Sequence, residues 1–81
     1  MKYIEQVQGS AQAALPFIVN VDTIYLHTNV IPIEDEEDLY QYTERQYSFA
    51  EFADFADEVL ASLDEDVRKD AIAQLKEKQI I

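Results

Sequence analysis

Five consecutive carboxylates, Glu34-Asp35-Glu36-Glu37-Asp38, stand in the chain with no cation among them. Such a run cannot lie inside a sheet, because each buried, unpaired carboxylate carries a heavy desolvation cost. It belongs at a hairpin tip or in a loop, and the flanking segments must fold around it. Apolar Val30-Ile31-Pro32-Ile33 leads into it, and Leu39-Tyr40-Gln41-Tyr42 leads away.

From Phe17 to Ile33 the residues are β-branched and aromatic, the composition of strands. Asn20-Val21-Asp22 reads as a bend between Phe17-Ile18-Val19 and a longer strand that begins at Thr23. Alternation along that strand puts Ile24, Leu26 and Val30 on a core face. Thr23, Tyr25, His27 and Asn29 fall on the opposite, solvated face, so His27 reads as exposed. On the return strand, Leu39 to Tyr47, Tyr40 and Tyr42 share a face with Glu44, while Leu39, Thr43 and Tyr47 share the other. Alternation alone leaves open which set faces the core. Upstream, Tyr3, Ile4 and Val7 suggest a short edge strand, which Gly9-Ser10 breaks. Ala11 to Leu15 suits one helical turn, stopped by Pro16.

At Ser48 the apolar period changes from two to 3.6. Ser48-Phe49-Ala50-Glu51 is a capping-box pattern. Beyond it Phe49, Phe52, Phe55, Ala56, Val59, Leu60 and Leu63 form one stripe on a helical wheel. Ser62-Leu63-Asp64-Glu65 repeats the pattern and predicts a second helix with Val67, Ala71 and Leu75 on its apolar side. Asp64 with Arg68 and Glu65 with Lys69 are i,i+4 pairs. The expected fold is α+β: an antiparallel sheet of two to four strands within residues 17–47, packed under a helical hairpin of residues 49–61 and 63–78. With 81 residues, 48% of them hydrophobic, the chain reads as one domain with a single core.

The chain has no cysteine, so no disulfide or thiolate metal site is available. Met1 to Gln6 lacks the apolar centre of a secretory signal, and the apolar run that contains Leu15 to Val19 is far too short to span a membrane. A reducing compartment is expected. Seventeen Asp and Glu against six Lys and Arg leave a net charge of −11. That field repels nucleic acid and anionic lipid and attracts basic surfaces, so the expected partner is a basic protein.

Enzyme chemistry is not expected. A single glycine rules out a glycine-rich phosphate loop. His27 stands alone, without a converging carboxylate motif. The acidic run lacks the alternating ligands and central glycine of a calcium loop, so neither metal nor cofactor is expected. A lone charge run most often forms a solvated tip that prevents edge pairing. Here a second acidic surface joins it: Glu51, Asp54 and Glu58, at i, i+3 and i+7 of the first helix, with no lysine to neutralise them. If extended, the five-residue run would place charges about 3.3 Å apart over roughly 17 Å, comparable to the phosphate spacing of one DNA strand. The candidate partner-binding residues are therefore Glu34, Asp35, Glu36, Glu37, Asp38, Tyr40, Tyr42, Glu51, Asp54 and Glu58. The tyrosines enter as amphipathic interface anchors beside the carboxylates.

Thr23-Ile24-Tyr25-Leu26-His27-Thr28-Asn29-Val30, the acidic spacer, Tyr40-Gln41-Tyr42 and Gln46-Tyr47-Ser48-Phe49-Ala50-Glu51-Phe52 follow one another in a suggestive order. This order resembles small uncharacterised acidic accessory proteins of phages and prophages of Gram-positive bacteria. In those proteins a Tyr or Phe follows the acidic helix start, a position filled here by Phe52. The resemblance spans residues 23–55, under half of the chain. It implies a phage-encoded protein acting in the cytoplasm of a bacterial host. One implied function is that of an inhibitor that occupies the basic nucleic-acid-binding surface of a host nuclease, as anti-CRISPR and DNA-mimic proteins do. The alternative is a structural accessory of the virion or tail. The oligomeric state, monomer or homodimer, stays open.

Overall fold

The computed structural model describes residues 1–80. Four strands, β1 (Lys2–Gly9), β2 (Phe17–Val19), β3 (Thr23–Pro32) and β4 (Tyr40–Ser48), precede two helices, α1 (Phe49–Ser62) and α2 (Glu65–Glu77). The strands form one antiparallel sheet in the order β1-β4-β3-β2. The class is the expected α+β, an antiparallel sheet followed by a helical hairpin. The sheet extends beyond residues 17–47, because β1 pairs with β4 along the edge.

β4 runs straight into α1. Ser48 is the last strand residue and the N-cap, in extended backbone at φ −69°. Its Oγ accepts from Glu51 N at 3.1 Å, and Ser48 N donates to Glu51 Oε1 at 3.1 Å. This reciprocal box satisfies two backbone donors that would otherwise be orphaned. It also fixes where Phe52 arrives. The Phe52 ring is 0% exposed, edge-on to Phe17 (5.8 Å between centroids) and to Tyr47 (6.1 Å). Ile24, Leu26, Val59, Ala71 and Leu75 complete the core between the helices and one end of the sheet.

The second box does not form. Ser62 is the last residue of α1 and its hydroxyl donates back to Val59 O at 2.6 Å. Asp64 caps α2 without a side-chain hydrogen bond. Arg68 does not pair with the Asp64 side chain either. Its Nε and Nη2 donate to Leu60 O and Leu63 O, each at 2.9 Å; Leu60 O also accepts from Leu63 N at 3.2 Å, so the guanidinium adds a second donor at the end of α1 and one to the carbonyl of its cap. A charged donor to partly buried backbone carbonyls outweighs an exposed i,i+4 pair, which is worth only a few tenths of a kcal/mol. Lys69 and Glu65 do pair, at 3.7 Å, out in solvent.

β3 departs from simple alternation. A bulge between Thr28 and Ile31, with Asn29 at φ 56°, shifts Val30 off the core face and leaves it 42% exposed. β1 carries a matching bulge between Ile4 and Val7, with Gln6 at φ 60°. In both cases an extra residue breaks the ladder and twists the strand.

The face of the sheet away from the helices is also covered, which alternation does not reveal. Residues 10–16 cross it as a strap. Ala14 is buried, and its amide donates to Ser10 O at 3.0 Å. His27, expected in solvent, is 5% exposed beneath this strap. Its Nδ1 lies 2.6 Å from Leu15 O and its Nε2 lies 2.9 Å from Glu44 Oε1, so both ring nitrogens face acceptors. Tyr42 packs against His27 with centroids 4.6 Å apart. A Cβ at Gly9, the one glycine, would sit 2.8 Å from the Tyr42 hydroxyl oxygen, so the strand there must lack a side chain.

The outer edge of β2 is closed by a side chain. Gln74 of α2 accepts from Val19 N at 3.1 Å through Oε1 and donates to Phe17 O at 3.2 Å through Nε2. Its carboxamide takes the place of a neighbouring strand's peptide and keeps that edge from templating another chain. We predict that Gln74→Ala costs about 1–3 kcal/mol in denaturant unfolding, the penalty for leaving partly buried backbone groups unpaired. Amide exchange at Val19 should accelerate selectively; unchanged exchange there would show that the carboxamide does not hold the edge.

Candidate protein-binding surface

The acidic run is not extended. Residues 33–39 form a loop closed by Ile33 N donating to Leu39 O at 2.9 Å, with Glu36 N donating to Ile33 O at 3.3 Å. Asp35 (φ 67°) and Asp38 (φ 48°) adopt the left-handed conformation, which Asp tolerates better than most residues. The run thus folds as two successive turns, Glu34-Asp35 and Glu37-Asp38, and the 17 Å linear array of charges is absent. What remains is a compact knot of charge: Glu34, Asp35, Glu36 and Glu37 are all exposed.

Asp38 is exposed too, but one of its oxygens is in use. Oδ1 accepts from Ala11 N at 3.0 Å and so ties the strap to the acidic loop. Tyr40 is half-buried on β4. Tyr42, only 4% exposed, is not a surface residue, because the strap lies over the face that it shares with Glu44 and His27. Burial, and secondarily the charge of Glu44, raises its hydroxyl above the usual tyrosine range.

On α1 the three predicted acids part company. Asp54 and Glu58 are exposed, whereas Glu51 is engaged. The Met1 amino group donates to Glu51 Oε2, and Ser48 donates to its other oxygen. The hydrogen bond from that amino group, then those at Ser48, lower the Glu51 carboxyl from 4.5 to about 2. α1 contains no Lys or Arg, and Asp57 adds another exposed carboxylate. The loop and the start of α1 lie at opposite ends of β4, whose nine residues span roughly 26 Å at 3.3 Å per step. The two acidic surfaces are therefore separate, not one continuous patch.

Sequence reasoning missed two concavities. The larger, about 230 Å³, lies beside the paired bulges, where Gln6, Asn29, Gln41 and Thr43 supply polar groups and Glu5 a carboxylate. Asn29 inside a strand-like run was its one visible signal. The smaller, about 140 Å³, lies beside α1 against Tyr47, Phe55 and Val59. Phe55, expected in the core, is 46% exposed there, because α1 covers one end of the sheet and its apolar stripe is broader than the contact.

Among the described residues no three His, Asp or Glu side chains are grouped to hold a metal ion, and no helix is long and apolar enough to cross a membrane. No family model, curated protein or solved structure matches the chain.

The carboxylates thus fall into those that hold structure and those that do not. Asp38→Ala should cost about 1 kcal/mol, comparable to losing a helix cap, whereas Glu36→Gln should leave urea unfolding unchanged or slightly improve it. Equal effects would remove Asp38 from its structural role.

Glu51 adds a pH signature. Its folded pKa is depressed, so its contribution is present above pH 4.5 and is lost as pH falls towards about 2. Melts of Glu51→Gln should lose less stability over that window than the parent. Parallel curves would mean that Glu51 is not engaged in solution.

Proposed function

We propose that this protein is a non-enzymatic acidic binding protein that docks on a basic, nucleic-acid-binding surface of a host protein and blocks it. The observation that carries the reading is the set of exposed carboxylates that form no salt bridge among the described residues: Glu34, Asp35, Glu36 and Glu37 on the loop, and Asp54 and Glu58 on a helix without a Lys or Arg. On a chain of net charge −11, such groups raise the local concentration of a basic partner and speed encounter. The resemblance of residues 23–55 to phage accessory proteins supports a bacterial host and a nuclease of its defence as the setting, with action in the cytoplasm. The folded loop favours occupation of a basic patch over imitation of a DNA strand, since its charges form a knot instead of a line.

The test is kinetic. A partner captured from a host lysate should associate with the protein at a rate that falls steeply with salt, because exposed charges are screened over about 8 Å at physiological ionic strength. An oligonucleotide should compete. Changing Glu34, Asp35, Glu36 and Glu37 together to Gln or Asn should slow association on the order of tenfold, with little change in dissociation or melting. Association that is indifferent to both salt and these substitutions would sink the reading. Co-sedimentation with virions instead of capture of a basic protein would point to the structural alternative.

A further inference from the structure

Along one side of α1 the apolar stripe emerges from the core. Phe55 stands one turn from Phe52, yet its ring is half exposed, 6.3 Å from the Tyr47 ring at 48°. Tyr47 and Val59 are buried and form the floor of the 140 Å³ hollow. Phe55 and Met1 wall it, and Glu58 stands at the side. This is the arrangement of an interface anchor: a hollow floored by packed side chains, with an aromatic at its lip.

The surrounding charge decides what can enter. Asp54 precedes Phe55 and Glu58 follows one turn later; α1 has no Lys or Arg to offset them, and the Met1 amino group at the wall is engaged by Glu51. A second copy of this chain, at net −11, would bring like charge to the face, and an anionic lipid surface would do the same. A basic protein segment meets both requirements. An apolar side chain fills the hollow, and flanking cations meet the carboxylates.

We infer that this hollow is the anchoring point for a Lys- or Arg-rich segment of the partner, which seats one apolar side chain against Phe55, Tyr47 and Val59. Lys or Arg residues on either side of it pair with Asp54 and Glu58. The inference rests on the docking reading above and divides the labour within it: the acidic loop steers, and the Phe55 hollow holds.

The experiment uses the full chain, labelled with ¹⁵N, and two synthetic basic peptides of equal charge. One carries a central leucine and the other a glycine in its place. At about 150 mM salt, where the screening length is about 8 Å, the leucine peptide should bind roughly tenfold more tightly. It should shift the amides of Phe55, Glu58 and Val59. Phe55→Ala should abolish that preference with little change in melting, because the side chain is half exposed, and Phe55→Leu should keep most of it. A preference that survives Phe55→Ala overturns the anchor. So does mapping of both peptides to residues 34–38 alone, which leaves the docking reading standing. If neither peptide binds the parent even at low salt, the docking reading falls and takes the anchor with it.

Discussion

Phe52 is where the fold is tied together. One ring, wholly buried, touches Phe17 from β2 and Tyr47 from β4 edge-on, so α1 is pinned to two strands that are not neighbours in the sheet. Edge-to-face contacts of this kind add about 0.5–1.5 kcal/mol beyond the area that they bury. Its position follows from the strand-to-helix junction: the Ser48–Glu51 box starts the helix on the last strand residue, with no loop to absorb an error in phase. Gln74 and Arg68 then secure the second helix to the edge of β2 and to the end of α1. In so small a domain these polar fixings supply what a larger core would.

The opposite face of the sheet solves a different problem. The two helices pack on one side, so the strap covers the other, where Ala14 is buried and the Ala13 methyl would meet a Cβ at Gly9 at 3.1 Å. A strap has backbone carbonyls that need donors, and His27 supplies one to Leu15 O. Glu44 answers the other ring nitrogen, and the amide of Gln46 donates to its second oxygen at 2.7 Å. Every member of this small network is partnered, the condition under which a buried polar cluster specifies one arrangement without weakening the fold.

Much of this architecture was legible in the chain. The switch of period at Ser48, the Phe52 side of α1 and the bend at residues 20–22 follow from local rules that the tertiary structure does not override. Less legible were the features that depend on distant partners. Alternation makes Tyr25 and His27 equivalent, and only the strap, twelve residues upstream of His27, separates them. It makes Val30 a core residue, and the Asn29 bulge moves it out. Ser62 and Asp64 both satisfy helix-start rules, and Arg68 from the following helix decides between them by closing α1 at Leu63. Of the candidate site, the exposure of Glu34 to Glu37 was readable from charge alone. The return of Glu51 to Ser48 N was readable as a capping box, but its second partner, Met1, and the tie from Asp38 to Ala11 were not, since both are remote in sequence.

That division changes what the acidity means. A net charge of −11 invites treatment as a uniform cloud, yet individual carboxylates here do unlike work. Glu44 lies in a partly buried network, Glu51 caps a helix and Asp38 ties down a strap, so each is held to one geometry. Glu34 to Glu37 are exposed on the loop, and among the described residues none of them forms a salt bridge that would offset their mutual repulsion. Like charges this close raise the free energy of the isolated protein, and a basic surface relieves the repulsion while gaining attraction of its own. The relief is largest where charge is densest and least committed, at the loop. Holding a partner needs desolvated contact, which the exposed loop does not offer and an apolar side chain seated in the Phe55 hollow would. On the docking reading proposed above, steering and holding fall to opposite ends of β4, and a partner that engaged both would span the length of the sheet.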